Sequence, residues 1–152
     1  MSYRWITKVG LAALNGERLL VVRKRGDKLF ILPGGKPEGA ESDLQTLSRE
    51  LKEELGCAFR FPSYAGVFSN HAAGVNNAAV VVRLYCGELA GEPAPMAEIE
   101  EIGWVSIRKP ELPLAPSIEK GILPHLRKRL RRIGNGLGQQ TKLADQGSLQ
   151  LV

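Results

Sequence analysis

The chain has 152 residues, of which 43% are hydrophobic and 24% are charged. This length and composition are typical of one compact domain with a single core. No apolar run approaches the roughly 18 residues that a membrane-spanning helix needs, so the composition excludes a membrane protein with helical spans. The formal net charge is +5 at pH 7, which raises the question of a nucleic-acid partner.

The cysteines and the amino terminus indicate a compartment. Cys57 and Cys86 could pair, but the first residues lack an apolar signal segment. We therefore expect two free, buried thiols in a reducing cytoplasm, and no membrane partner.

The positive charge is local. Five of the 21 basic residues lie between Arg127 and Arg132, and the remaining ones balance the 16 acidic residues. Because cations stabilise the carboxyl end of a helix, we expect a solvated helix end there. A contact with phosphate or another polyanion is the alternative. The run contains no aromatic residue, which argues against a surface that stacks single-stranded nucleic acid.

The amino-terminal part is predicted to form short strands. They cover residues 6–14, 19–23 and 29–32, and Asn15-Gly16 predicts a two-residue hairpin between the first two. Pro33-Gly34-Gly35 follows as a tight loop that can bring backbone close to a ligand.

A helix is predicted over residues 42–55. Ser42 and Gln45 match a capping box at its start, and Gly56 suits a left-handed cap at its end. Leucines at helical spacing predict an apolar face towards the core: Leu44, Leu47, Leu51 and Leu55.

The same helix carries three clustered glutamates. Glu50, Glu53 and Glu54 share one face at spacings of three and four residues, where like charges repel. Such a cluster is usually a solvated face. Because a glycine loop and a capped helix start precede it here, we expect it to bind a divalent cation instead.

The remaining elements complete a single domain. Strands are predicted at 59–68, 78–87 and 99–107, with a loop at 69–77 and with Trp104 packed under the sheet. A helix follows at 117–133, which Pro124 is expected to kink or split. Mixed strands between helices predict an α/β/α sandwich over residues 1–133. We expect residues 134–152 to form a tail that is poorly ordered or loosely docked.

Residues 35–57 resemble the Nudix box: Gly, five residues, Glu, seven residues, then Arg-Glu-apolar-x-Glu-Glu-x-Gly-apolar. Only Cys57 departs slightly, standing where a larger aliphatic residue is usual. The resemblance extends over about residues 4–130 and implies the Nudix-type α/β/α sandwich, with a mixed sheet between helices, of a Mg²⁺-dependent hydrolase. The matching residues are Gly35, Glu41, Arg49, Glu50, Leu51, Glu53, Glu54 and Gly56.

The resemblance also implies residue roles. Arg49 would orient the glutamates through an ion pair that includes Glu41. The general base would be one of the box glutamates or would come from the acidic position before Trp104, where Glu98 fits best. Glu98 could instead be a solvated residue at a strand edge. The implied catalytic residues are Arg49, Glu50, Glu53 and Glu98. The implied ligands of Mg²⁺, with Mn²⁺ as a substitute, are Gly35, Glu50, Glu53 and Glu54.

The substrate class is narrowed by the same comparison. The family's signatures for ADP-ribose, dinucleoside polyphosphates and coenzyme A are absent, and residues 112–119 are more similar to MutT-type nucleoside triphosphate hydrolases. Ile118 stands where MutT has an Asn, which argues against recognition of oxidised guanine.

We therefore expect a cytoplasmic hydrolase that cleaves a nucleoside diphosphate linked to another moiety, best matched by a nucleoside triphosphate. The alternatives are a hydrolase of a nucleotide sugar or a dinucleotide, and a non-catalytic module that senses a nucleotide. The expected partner is a small nucleotide. Nucleic acid is not expected, and homodimers through the sheet are common in the family.

Overall fold

The computed structural model describes residues 4–71 and 77–134, without the side chain of His71. This part of the chain folds as a mixed sheet with one helix on each face, which confirms the predicted sandwich. The predicted tail lies outside the described residues from position 135 onwards. The elements are β1 (Arg4–Asn15), β2 (Arg18–Lys24), β3 (Gly34–Gly35), α1 (Asp43–Leu55), β4 (Ala58–His71), β5 (Ala78–Ala90), β6 (Ile99–Ser106) and α2 (116–134).

Strand β1 organises the sheet. The strand order is β4-β5-β1-β2-β6, and the short β3 pairs with β1 off this path. β1 is parallel to β5, and a parallel pair needs a long crossover, which α1 and β4 supply. β3 is antiparallel to β1, with Val9 opposite Gly35 and Gly10 opposite Gly34. The glycine turn is therefore fixed to the middle of the sheet.

The β1–β2 hairpin is displaced by one residue from its prediction. Asn15, predicted to lie in the loop, pairs with Arg18 as the last residue of β1. The two loop residues are therefore Gly16 and Glu17. Only Gly16 has a positive φ, +61°, as in a type II′ turn, which has glycine at its first central position. The glycine fits that position without strain and so sets the register.

The predicted strand at 29–32 is wrong and is replaced by two isolated bridges. Ile31 exchanges both backbone hydrogen bonds with Val22, at 2.7 and 2.8 Å, whereas Phe30 bonds to Pro113 and Ala115 on its other side. The partners differ from one residue to the next, and the proline at position 33 has no N–H to continue a ladder.

The sheet separates two apolar cores. Alternation along β1 sends Val9, Leu11 and Ala13 towards α1 and Ala12 towards α2. Trp104 packs partly buried on the α1 side, as predicted. The two cysteines are buried and free, as predicted, and lie in different cores: Cys57 and Cys86.

The limits of α1 follow its sequence signals. The Ser42 hydroxyl accepts from the Gln45 N–H at 3.2 Å, the Gln45 side chain accepts from the Ser42 N–H at 2.9 Å, and Gly56 closes the helix at φ +66°. The predicted apolar face is wrong at Leu44, which is 41% exposed, whereas Thr46 is buried. The first turn of α1 carries Asp43, which pairs with Arg83 of β5 at 2.7 Å and keeps this end polar.

Pro124 is accommodated within a continuous helix. Residues 116–134 are helical and contain a π turn, Ile118–Ile122, immediately before the proline. The Leu123 N–H bonds to the Ile118 carbonyl, as the wider turn requires. Because Pro124 has no N–H, the widened turn accommodates it in an unbroken helix, so the predicted split is wrong, and the kink stays a prediction.

The basic end of α2 is attached to the sheet by one side chain. Arg127 donates to the carbonyl oxygens of Ile107 at 2.9 Å and of Arg108 at 3.4 Å. Lys128, Arg131 and Arg132 are exposed. Within residues 4–71 and 77–134, no helix has the length and apolar character needed to cross a membrane.

The buried and exposed leucines of α1 allow a direct test of how this helix packs on the sheet. Leu51 is fully buried between α1 and the sheet. We expect Leu51→Ala to lower the free energy of unfolding by about 2–5 kcal/mol, through lost burial and the cavity left behind. The matched change Leu44→Ala, at an exposed position of the same helix, should alter it by no more than about 0.5 kcal/mol. Urea unfolding measures both, and equal losses would contradict the assignment of the buried face.

Candidate metal and active site

The site is built around the glycine turn of β3. Gly34 has φ +141°, and a Cβ atom there would overlap the backbone of Val9. A Cβ atom at Gly35 would overlap the carboxylate of Glu50. Gly34 therefore requires glycine, and a side chain at Gly35 would displace the Glu50 carboxylate, which packs directly on the backbone of the turn.

Glu54 is the most deeply buried acidic group described, at 2% exposure. One carboxylate oxygen, Oε1, accepts a hydrogen bond from the Gly34 N–H at 2.9 Å. The other, Oε2, is buried and has no hydrogen-bond partner among residues 4–71 and 77–134. Burial raises the pKa of Glu54 to about 7; the Gly34 N–H opposes this effect, and the charge of Glu50 adds to it. An unsatisfied buried oxygen of this kind is costly unless it has a ligand.

Glu50 lies beside Glu54 on the same face of α1. Its side chain is 15% exposed, and it accepts from Nη1 of Arg49 at 2.9 Å. Burial raises the pKa of Glu50; the Arg49 guanidinium opposes this effect, and the charges of Glu53 and Glu98 add to it. These carboxylates therefore lie close enough to influence each other.

Arg49 holds this group of carboxylates together. Its Nε and Nη2 atoms donate to the two oxygens of Glu41, at 2.8 and 2.9 Å, which is the ion pair predicted from the sequence. Nη2 also donates to the Lys36 carbonyl at 3.0 Å. The Arg49 hydrogen bonds lower the pKa of Glu41 to about 2. The guanidinium thus joins the helix to the loop that precedes it.

Glu53 lies at the rim. Its side chain is 56% exposed, and one oxygen is 3.5 Å from the same Arg49 Nη1 atom that contacts Glu50. The two carboxylates therefore flank one cation. Within the described residues, no three acidic, His or Cys side chains are grouped closely enough to hold a metal ion in this arrangement. The turn thus gathers Glu50 and Glu54, while Glu53 stays more open.

Glu98 occupies the turn before β6. Its backbone carbonyl accepts from the Arg25 N–H at 2.9 Å, and its side chain, 57% exposed, is 3.4 Å from Nζ of Lys24. Its charge also raises the pKa of Glu54 and of Glu50, so it acts on the same group of carboxylates.

The other basic side chains near the site differ in whether they form a salt bridge. Arg23 is bound to Glu101 at 3.1 Å. Lys8 and Lys36 line a cavity of about 310 Å³ beside the glycine turn. Sequence reasoning missed both lysines. A signal for the first was available, since Lys8 is the only charged residue in the predicted strand 6–14.

The donors present fit a hard divalent cation. Glu50 and Glu54 offer carboxylate oxygens near the turn, and Glu53 contacts the Arg49 guanidinium that also binds Glu50. The buried Oε2 atom of Glu54 has no hydrogen-bond partner in the part of the chain that the structure describes. Oxygen donors suit Mg²⁺ and Mn²⁺ better than they suit zinc, which favours His and Cys.

Comparisons with known proteins agree with this geometry. The fold is similar to a MutT Nudix hydrolase from Burkholderia pseudomallei, with 25% identity and TM-score 0.65 over 74% of this chain and 91% of that chain. It is similar to the MutT protein from Bacillus halodurans, with 25% identity and TM-score 0.64 over 79% and 80%. The ORF135 protein of E. coli shares the fold, with 24% identity and TM-score 0.67 over 82% and 90%. No curated protein sequence matches the chain significantly.

The family itself follows from the sequence match. The model of the NUDIX domain matches residues 5–126, which include α1, β2 to β6 and all of β1 except Arg4. Nudix hydrolases use divalent metal ions and act on nucleotide-linked substrates. The chain therefore belongs to the Nudix domain family and is a Nudix hydrolase, a pyrophosphohydrolase of nucleotide-linked substrates.

Proposed function

We propose that the protein is a cytoplasmic, Mg²⁺-dependent pyrophosphohydrolase that cleaves a nucleoside diphosphate linked to another moiety, and that its substrate is a nucleoside triphosphate. The observation that carries this proposal is the unpartnered oxygen of Glu54, buried against the Gly34–Gly35 turn beside Glu50. The products would be a nucleoside monophosphate and pyrophosphate.

The ligands of the cation come from one helix and one turn. Glu50, Glu53 and Glu54 would hold it, with the carbonyl oxygen of Gly35 as a further ligand. When bound, a divalent cation neutralises phosphoryl charge and lowers the pKa of an attacking water. Because both glycines lack side chains, the Val9 backbone and the Glu50 carboxylate can pack directly on the turn, which keeps the proposed ligands beside its backbone.

Arg49 orients this set and does not contact the substrate. Its guanidinium is held by both oxygens of Glu41 and by the Lys36 carbonyl, so the remaining nitrogen has a fixed position between Glu50 and Glu53. A carboxylate held in this way loses less rotamer entropy when it binds a cation.

Two carboxylates can serve as the general base. Glu53 and Glu98 are both more than half exposed, so water reaches either one. Glu98 is paired with Lys24, which would have to release it or share it. The base would take one proton from the attacking water and deliver it to solvent.

A nucleoside triphosphate is favoured by the relatives and by the cleft. Two of the similar structures carry the MutT name. The cavity beside the turn is lined mainly by apolar side chains, which suits a nucleoside next to the phosphates. The free state of Cys57 and Cys86 accords with a reducing cytoplasm.

Turnover should depend on the box carboxylates. We expect Glu53→Gln and Glu54→Gln each to lower kcat by at least about 100-fold, because amides are poor ligands for a hard cation. The assay is release of pyrophosphate from a panel of nucleoside triphosphates and other nucleotide derivatives, with Mg²⁺ and with Mn²⁺.

The matched control is Glu88→Gln, an exposed glutamate on β5 far from the turn, which should keep wild-type activity. Circular dichroism verifies that each variant is folded. Full activity in both site variants would remove the proposed metal role, and activity without any divalent cation would contradict the reaction itself.

Metal binding should depend on pH through Glu54. Its pKa is raised to about 7, so below that pH the folded protein carries a proton where the cation would bind. We expect Mg²⁺ to raise the thermal unfolding midpoint clearly at about pH 8 and much less at about pH 6. Glu54→Gln should lose the increase at both values. An equal Mg²⁺-induced increase at both pH values in the wild type would contradict this role of Glu54.

A further inference from the structure

A cavity of about 310 Å³ lies between the sheet and the start of α2, beside the glycine turn. One end is formed by the turn itself, at Gly34 and Gly35, and the other end is apolar. The apolar lining comes from β1, β5 and α2: Ile6, Val80, Val82, Ile118 and Ile122.

Lys8 introduces a charge into this apolar cavity. It lies on β1 opposite Val82 of β5, one residue before the pair that Val9 forms with Gly35. Its side chain is half-buried, and it forms no hydrogen bond or salt bridge with any residue described here. A lysine that is partly buried for structural reasons alone is usually paired with an acidic group, because burying an unpaired charge costs free energy.

The surroundings of Lys8 make the unpaired amine costlier still. Burial lowers the pKa of Lys8, and the charges of Lys24 and Lys36 lower it further, while Glu54 and Glu50 oppose that shift. The amine therefore lies within electrostatic range of two other cations and of the carboxylates of the site. Lys24 and Lys36 line the same cavity as Lys8, together with one acidic residue, Asp27, so the net charge of the lining favours an anion.

The position of this amine selects one part of the substrate. We consider a substrate whose diphosphate lies over the glutamates and whose nucleoside lies in the apolar cavity. The phosphate next to the nucleoside then lies where the cavity meets the glycine turn. Lys8 lines the cavity, and the next residue, Val9, pairs with Gly35 of the turn, which puts Lys8 near that junction. We propose that the Lys8 amine binds an oxygen of the phosphate next to the nucleoside, in the substrate and in the monophosphate product. This rests on the proposed function, because that function places the diphosphate at the glutamates.

The test is product binding, which needs no turnover. Affinities of the four common nucleoside monophosphates and of the matching nucleosides are measured calorimetrically, in EDTA and in Mg²⁺. We expect Lys8→Met to weaken monophosphate binding roughly 10- to 100-fold, the loss typical of a charged hydrogen bond, and to leave nucleoside binding unchanged. Lys8→Arg should retain most of the monophosphate affinity.

Two controls separate binding from folding. Lys109→Met removes an exposed lysine outside the cavity and should change neither affinity. The unbranched side chain of methionine fits an apolar cavity, so Lys8→Met should unfold at the wild-type temperature or above it.

Unchanged monophosphate binding in Lys8→Met would overturn the assignment while leaving the proposed function intact. Equal losses for nucleosides and monophosphates would also overturn it, because the amine would then contact the base or sugar. A wild-type protein that binds no monophosphate in either condition would overturn it as well. The proposed hydrolase fails separately, through absence of Mg²⁺-dependent pyrophosphate release by the wild type.

Discussion

The site depends on one buried carboxylate. Glu54 can lie at 2% exposure because the Gly34 N–H satisfies one of its oxygens, and because the turn has no side chains to push α1 away. The other oxygen is left without a partner. A core that served stability alone would place an apolar residue there, since an unsatisfied buried oxygen costs free energy. The local cost indicates a site prepared for a cation.

The charged side chains around Glu54 are also arranged at a local cost in free energy. Arg49 supplies the positive charge that lets Glu41, Glu50 and Glu53 share a small region. Lys8 supplies a positive charge that has no protein partner in the described residues. Local conflicts of this kind are expected where a protein binds a ligand, because the ligand completes the charge balance that the chain leaves open.

The sequence predicts the local parts of this arrangement well and the nonlocal parts poorly. The capping box at Ser42 and the cap at Gly56 depend on neighbours within one turn, so α1 begins and ends as predicted. The exposure of Leu44 depends on which side of α1 packs on the sheet, and helical spacing alone does not determine that side. The cleft lysine at position 8 was missed for the same reason, because its cavity is formed by strands and a helix far apart in sequence. The roles of the box glutamates follow from family resemblance, and the geometry places Glu50 and Glu54 together but leaves Glu53 at the rim.

The central claim is that Glu54 and its neighbours on α1 hold a divalent cation against the glycine turn. Anomalous diffraction from crystals soaked in Mn²⁺ tests it most directly. The account predicts a single strong peak about 2.0–2.3 Å from a Glu54 oxygen, with Glu50 or Glu53 in the same coordination shell. The claim would be contradicted if saturating Mn²⁺, at a pH above the pKa of Glu54, gave no peak near Glu54 or gave a peak only elsewhere on the protein.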